Sequence, residues 1–317
     1  MPSDKSSLHL VDSELRPILD VFTGFDVNQD TLAMLRAIPS PPARDTPPFE
    51  EVFVKRGRSE GDLRLLIIKP EIDTPARGLP ALLYMHGGGY VFGSPETILP
   101  TLQRFAEDVG CMVILPAYRL APEFLFPAAL NDNYLTLTWI HEQAARLGID
   151  TSRIAIGGDS AGGGHAAILN IAVRDRGEFS PIYQLLIYPM LDDRTGGAHA
   201  AADYVGEFIW TAENNVFGWS SYLGCPAGAS GVPKGSVPAR HKDLSGLPPT
   251  LIATGSLDLF AQENTEYGKR LAEQGVAAQT KVFDGAYHGF NVIAPDAAIS
   301  REFHAFCVEG LKAAFKI

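Results

Sequence analysis

The stretch "IAIGGDSAGGGHAA", residues 154–167, decides the reading of this chain. A run of small and β-branched apolar residues stops abruptly in glycines. Ser160 then stands between Asp159 and Ala161, more glycines follow, and a helix-like apolar stretch begins. Glycine inside a regular element costs stability, so this density points to a turn that only glycine tolerates, with Ser160 at its apex. Gly158-Asp159-Ser160-Ala161-Gly162 is the pattern G-x-S-x-G placed between a predicted strand and a predicted helix, the setting of a nucleophile elbow. Such a turn pushes the serine Oγ outward and leaves the Ala161 N–H at a helix N-terminus, facing a developing oxyanion. Taken alone the pattern is short, and a glycine-rich loop packing strand on helix, or over a phosphate, would look similar. No other serine here has glycine two residues away on both sides. The lysine of a P-loop and the spacing of a dinucleotide fingerprint are both missing.

A nucleophilic hydroxyl needs a base, and the base needs an orienting acid. On an elbow of this kind the chain order is serine, acid, histidine. Of the eight histidines, three follow Ser160 at a useful distance: His241, His288 and His304. His241 falls in an irregular region and follows no strand, and His304 lies inside the last helical pattern. His288, in "FDGAYHGF", lies just past the last predicted strand on a glycine-flanked loop and is the expected base. For the acid, "TLIATGSLDLF" puts Asp258 three residues beyond a buried strand. Asp284 lies too near His288 along the chain, and Glu263 falls a turn into the next helix, where a structural role is expected. "YMHGGGYVFG" (84–93) also follows a strand, and its consecutive glycines let backbone N–H groups turn toward one point. Gly88 and Gly89, with Gly87 as a further donor, are the expected oxyanion partners of Ala161, and His86 is expected to brace the loop.

Outward from these motifs the chain alternates between strands and helices. Strands are predicted at 50–56, 63–70, 81–86, 112–117, 153–158, 183–189, 250–255 and 279–285. Helices are predicted near 97–109, 127–147, 161–176, 259–274 and 297–315. The first two strands, joined by "GRSEGD", read as an antiparallel edge hairpin. The later, continuously apolar ones read as strands buried on both faces. The alternation implies right-handed βαβ units and a mostly parallel, doubly wound α/β sheet, with ligands at the carboxyl edge. Two helical patterns at 12–22 and 28–38 precede the proline-dense "IPSPPARDTPP" (38–48), read as an extended strap. Residues 192–245 are too long for an ordinary connection and read as a helical insertion above the sheet.

The 317 residues are 46% hydrophobic and 20% charged, as in soluble globular proteins, with a net charge of −11. That charge disfavours nucleic acid and anionic lipid as partners. Cys111, Cys225 and Cys307 show neither metal spacing nor a disulfide framework. No H-x-x-x-H or Cys/His cluster implies a metal. The N-terminus lacks the apolar region of a secretory signal, and no apolar run reaches membrane-spanning length. The expectation is a cytoplasmic protein with no membrane partner.

The ordered motifs "HGGGYVFG", "YRLAPEFLFPAALND", "GGDSAGG", "LLIYPMLDD", "GSLDLF" and "YHGF" resemble those of the hormone-sensitive-lipase-like carboxylesterases, bacterial family IV, from about residue 50 onward. The resemblance implies an α/β-hydrolase fold with an eight-stranded, mostly parallel sheet flanked by helices and a helical cap. The cap would combine residues 1–45 with 192–245, over a core formed by 46–191 and 246–317. The resemblance also implies a triad of Ser160, Asp258 and His288, an oxyanion hole from the HGGG loop and Ala161, short- to medium-chain acyl ester substrates, no cofactor, and frequent homodimers. In "LDLFAQEN" the sequence departs from the family's more usual proline and aspartate positions after the acid, which bears on how the acid loop is held.

Phe22, Phe25, Phe208, Ile209 and Trp210 of the cap, with Tyr90 and Leu191 beside the motifs, are candidate pocket walls, although such side chains can equally pack cap on core. Two other readings use the same residues. An amidase, lactonase or deacetylase would share the triad. A small-molecule receptor on this fold would be expected to lose one of its members, usually the histidine.

Overall fold

The computed structural model describes residues 7–57 and 60–317. One eight-stranded sheet runs in the order β1-β2-β4-β3-β5-β6-β7-β8. Its strands are β1 (Phe49–Lys55), β2 (Asp62–Ile68), β3 (Leu79–Met85), β4 (Met112–Pro116), β5 (Ile149–Asp159), β6 (Tyr183–Ile187), β7 (Thr250–Gly255) and β8 (Ala278–Phe283). β2 pairs antiparallel with both β1 and β4, and all other pairings are parallel. The expected edge hairpin is therefore present as β1 and β2; part of its connecting turn lies outside the described residues.

The central strands are buried on both faces, so each contributes alternate side chains to two cores. Leu79, Ala81, Leu83 and Met85 of β3 face one core, together with α4 (Ala128–Leu147), α5 (Ala161–Arg176) and α7 (Ala261–Glu273). Leu82 and Tyr84 face the other, covered by α3 (Pro95–Val109) and the C-terminal α9 (Ala298–Phe315). β5 begins at Ile149, four residues earlier than expected, because Ile149 pairs with Leu79 before a register shift brings Ile154 opposite Ala81.

The N-terminal region is less helical than its periodicity suggests. The pattern at 12–22 contains only α1 (Arg16–Leu19), and that at 28–38 only α2 (Leu32–Arg36). Pro17 supplies no N–H to the first of these. Its following residues leave the helix to bridge Ile209 through Gly24. The connection between β6 and β7 likewise holds a single α-helix, α6 (Ala212–Leu223), and one short 3-10 turn (Pro238–Arg240). The Gly- and Pro-rich chain after Gly224 stays irregular because those residues suit turns rather than helix. A third apolar cluster joins this connection to the N-terminal segment at the carboxyl edge, through Val27, Leu32, Tyr90, Trp210, Trp219 and Phe260.

Candidate active site

The site is built from the carboxyl ends of β3, β5, β7 and β8. β5 ends at Asp159 and α5 begins at Ala161, so Ser160 alone makes the turn, with φ 54° and ψ −121°. A non-glycine residue at positive φ is held there only when its surroundings over-determine it. The Ser160 N–H donates to Ile187 O at 2.9 Å, and its carbonyl accepts from Met190 N–H (2.9 Å) and Gly164 N–H (3.1 Å). The flanking glycines have a more specific purpose than clearing an approach to the hydroxyl. A Cβ on Gly162 would run into the Met85 carbonyl, so the elbow packs backbone against backbone.

Ser160, Asp258 and His288 meet at this edge. His288 Nε2 lies 2.9 Å from Ser160 Oγ, and His288 Nδ1 lies 2.7 Å from Asp258 Oδ2. Asp258 is fully buried, and its Oδ1 accepts the Phe260 N–H at 2.9 Å. A buried carboxylate with one oxygen fixed by backbone keeps the imidazole proton on Nδ1 and leaves Nε2 free to accept from the serine hydroxyl. The edges of Tyr188 and Phe260 pack against the imidazole at 4.8 and 5.2 Å between centroids. His241 and His304 lie elsewhere, His304 against Asp108 at 2.7 Å. Glu263 accepts the Leu191 N–H at 2.7 Å through Oε1 and the Thr195 hydroxyl through Oε2, so it ties α7 to the chain leaving β6. Burial pushes its carboxyl well above the usual range.

Gly87, Gly88 and Gly89 curve beside Ser160, with Gly88 and Gly89 both at positive φ. His86 braces this loop. Its Nδ1 lies 2.7 Å from Gly87 O, its carbonyl accepts the Tyr118 hydroxyl at 2.6 Å, and its ring stacks on Tyr118. Burial lowers the His86 pKa to about 4, so the ring is neutral. Beneath the loop, Asp159 is buried with its Oδ1 unpartnered among the described residues. Burial pushes its carboxyl up to about 6, against the opposing effects of the Tyr84 hydroxyl and His288.

A cavity of about 220 Å³ opens onto Ser160 and His288. Of the expected wall residues, Phe25, Ile209 and Trp210 line it. The other four do not. The positive φ of Tyr90 turns its ring away to stack on Tyr222, with the hydroxyl donating to Met190 O. Leu191 lies in the core, and Phe208 packs against Tyr287. Phe22 sits one layer out, edge-on to Phe25 at 4.7 Å. Sequence reasoning missed Val27, Phe92, Ile98, Tyr188, Val292 and Ile293, which complete the wall. Phe92 stood inside the quoted HGGG stretch, and Val292 follows His288 by one helical turn; the others carry no local signal. A larger cavity of about 780 Å³, between residues 192–205 and α7, contains none of Ser160, Asp258 or His288.

The family described as alpha/beta hydrolase fold matches residues 82–292. The chain is 31% identical over 307 residues to the carboxylesterase NlhH of Mycobacterium tuberculosis, covering 91% of this chain and 92% of that protein. It is 34% identical over 229 residues to the ethyl acetate hydrolase of Pseudomonas putida, covering 72% of this chain and 71% of that one. Among solved structures, a bacterial heroin esterase superposes with a TM-score of 0.87 at 32% identity, over 98% of this chain and 99% of that one. The fold and these relatives define a carboxylic ester hydrolase of the α/β-hydrolase superfamily. Within it, the chain belongs to the hormone-sensitive-lipase-like family IV carboxylesterases.

Proposed function

We propose that the protein hydrolyses short- to medium-chain acyl esters through a Ser160-His288-Asp258 triad and an acyl-enzyme. The observation that carries this reading is the continuous hydrogen-bonded chain from Ser160 Oγ through His288 to Asp258. Ser160 Oγ attacks the ester carbonyl while His288 Nε2 takes its proton. The N–H groups of Gly88, Gly89 and Ala161, with Gly87 as a further donor, stabilise the tetrahedral oxyanion. His288 returns the proton to the departing alkoxide, leaving Ser160 acylated. Water then attacks the acyl carbon, His288 takes its proton and passes it to Ser160, and the acid departs. Asp258 holds the imidazole tautomer and stabilises the imidazolium.

The described residues of 7–45 and 192–245 act as a cap over those of 46–191 and 246–317; residues 1–6 of the expected cap lie outside the described residues. Chain length follows from space: pockets for drug-sized ligands run from about 300 to 1,000 Å³, and 220 Å³ falls below that range. Esters are favoured over amides by the relatives, which are named for ester substrates.

The test is hydrolysis of p-nitrophenyl esters from acetate to palmitate by the wild type and by Ser160→Ala. Turnover that favours the short chains and falls by roughly 10⁴-fold or more in the variant is expected. A wild type inert on every ester, though folded, would overturn the reading.

A further inference from the structure

Three non-glycine residues of the cavity wall have positive φ, Ser160, Tyr188 and Ile209, and of these Ile209 alone is β-branched. Ile209 has φ 68°, and the Trp210 N–H donates back to Phe208 O at 2.8 Å. An i to i+2 hydrogen bond around a residue of positive φ is a γ-turn of the rare, strained kind. For a β-branched residue this conformation is a genuine outlier, held only by its surroundings.

Those surroundings are the N-terminal segment. The Ile209 N–H donates to Thr23 O at 2.7 Å, and Gly24 and Ile209 form an isolated parallel bridge. Gly24, at φ 131°, lies so close that a Cβ there would sit 2.8 Å from Ile209 Cα. Further along, Asn214 of α6 accepts the Val27 N–H at 2.9 Å and donates to Phe25 O at 2.7 Å. Residues 23–27 and 209–214 are thus stitched into one unit. Four of its side chains, Phe25, Val27, Ile209 and Trp210, line the cavity. The Trp210 ring occupies the space a Cβ on Gly89 would need, and its centroid is 6.3 Å from that of His288.

We infer that the strained turn at Ile209, locked by Gly24, is the element that sets the size limit of the ester pocket. It holds Ile209 and Trp210 inward against the glycine loop, so that only compact esters fit. Ile209 and Trp210 determine specificity directly; Gly24, which does not line the cavity, is a positioning residue. The inference rests on Ser160 acting as the ester-attacking group.

Three variants test it: Gly24→Ala, which prises the two segments apart; Ile209→Gly, which releases the turn; and Trp210→Ala, which removes the wall. kcat/KM would be measured on p-nitrophenyl esters from acetate to octanoate and on alkyl acetates from methyl to octyl, so that both arms of the ester are sampled. One methylene in an apolar pocket is worth about 10- to 200-fold in discrimination. The expected result is therefore a long-to-short ratio that rises at least about tenfold in one of the two series. Gly24→Ala should move it in the same direction as the two wall variants. A merely structural role would lower all chain lengths together and leave the ratio unmoved, and that result in Ile209→Gly and Trp210→Ala would overturn the inference. Should Gly24→Ala fail to fold, the other two variants decide. A wild type that hydrolyses nothing defeats the underlying esterase reading; a wild type that hydrolyses esters while the ratios stay fixed defeats this inference alone.

Discussion

Ser160 and Ile209 face the same cavity at similar positive φ, 54° and 68°, and are held there in opposite ways. The serine turn is built into the sheet, where Ile187 at the end of β6 and Met190 just beyond it fix its backbone. Its strain is imposed by the strand before it and the helix after it, and the Met85 backbone closes over its glycines. The Ile209 turn is held from outside the sheet, by Thr23 and Gly24 about 185 residues away in sequence. The first is part of the sheet and cannot yield without loss of the core; the second is a contact between two outlying segments. On the function proposed above, chemistry falls to the turn built into the sheet and selectivity to the contact between the two outlying segments.

Perturbing the core side should abolish turnover without altering preference. Asp258→Asn keeps an acceptor for the Phe260 N–H but presents an amide to His288 and favours the wrong tautomer. Turnover should fall by about 10⁴-fold with the chain-length profile unchanged. A loss of less than tenfold in steady-state kinetics would remove Asp258 from the triad.

A smaller effect is expected from the acid next to the nucleophile. With its carboxyl pushed up to about 6 by burial, Asp159 keeps its proton longer in the folded chain than in the unfolded one. The folded state then binds more protons between about pH 4 and 6, so stability falls as pH rises through that window and is level above it. Asp159→Asn removes this dependence. Its stability relative to the parent, measured by denaturant unfolding, should rise from pH 4 to pH 6 by on the order of 2 kcal/mol. A difference independent of pH would show that the carboxyl is not held in this way.

The smallest change concerns the tie between core and insertion. Because Glu263→Gln keeps an oxygen to accept the Leu191 N–H in a side chain of the same shape, it should cost under about 1 kcal/mol. Glu263→Ala leaves the buried Leu191 N–H unpaired and should cost about 1–3 kcal/mol. Equal destabilisation of the two variants in thermal melts would mean that the acceptor for the Leu191 N–H is not what holds this tie.

These contrasts explain what could be read from the chain. The elbow, the glycine loop and the positions of Asp258 and His288 rest on local signals: glycine where φ or close packing demands it, and chemistry-bearing residues just past the ends of apolar strands. Burial of the central strands on both faces also leaves a clear mark, so the sheet was legible throughout. The cavity wall was not. Tyr90 looked well placed beside the glycines, but one positive φ turns it into a buried aromatic cluster. Val27 and Ile98 enter the wall through tertiary packing that no periodicity encodes. Ile209 was expected as a wall residue, but its strain depends on Gly24, a pairing invisible in either segment alone.

The most direct test of the central claim is to trap the acyl-enzyme. Wild type would be mixed with p-nitrophenyl butyrate at near-stoichiometric concentration, quenched in acid within the first turnover, and examined by intact and peptide mass spectrometry. The account predicts a burst of p-nitrophenol and a single butyryl group on the peptide carrying Ser160, both absent from Ser160→Ala. Butyryl on another residue, or first-turnover hydrolysis undiminished in Ser160→Ala, would contradict it.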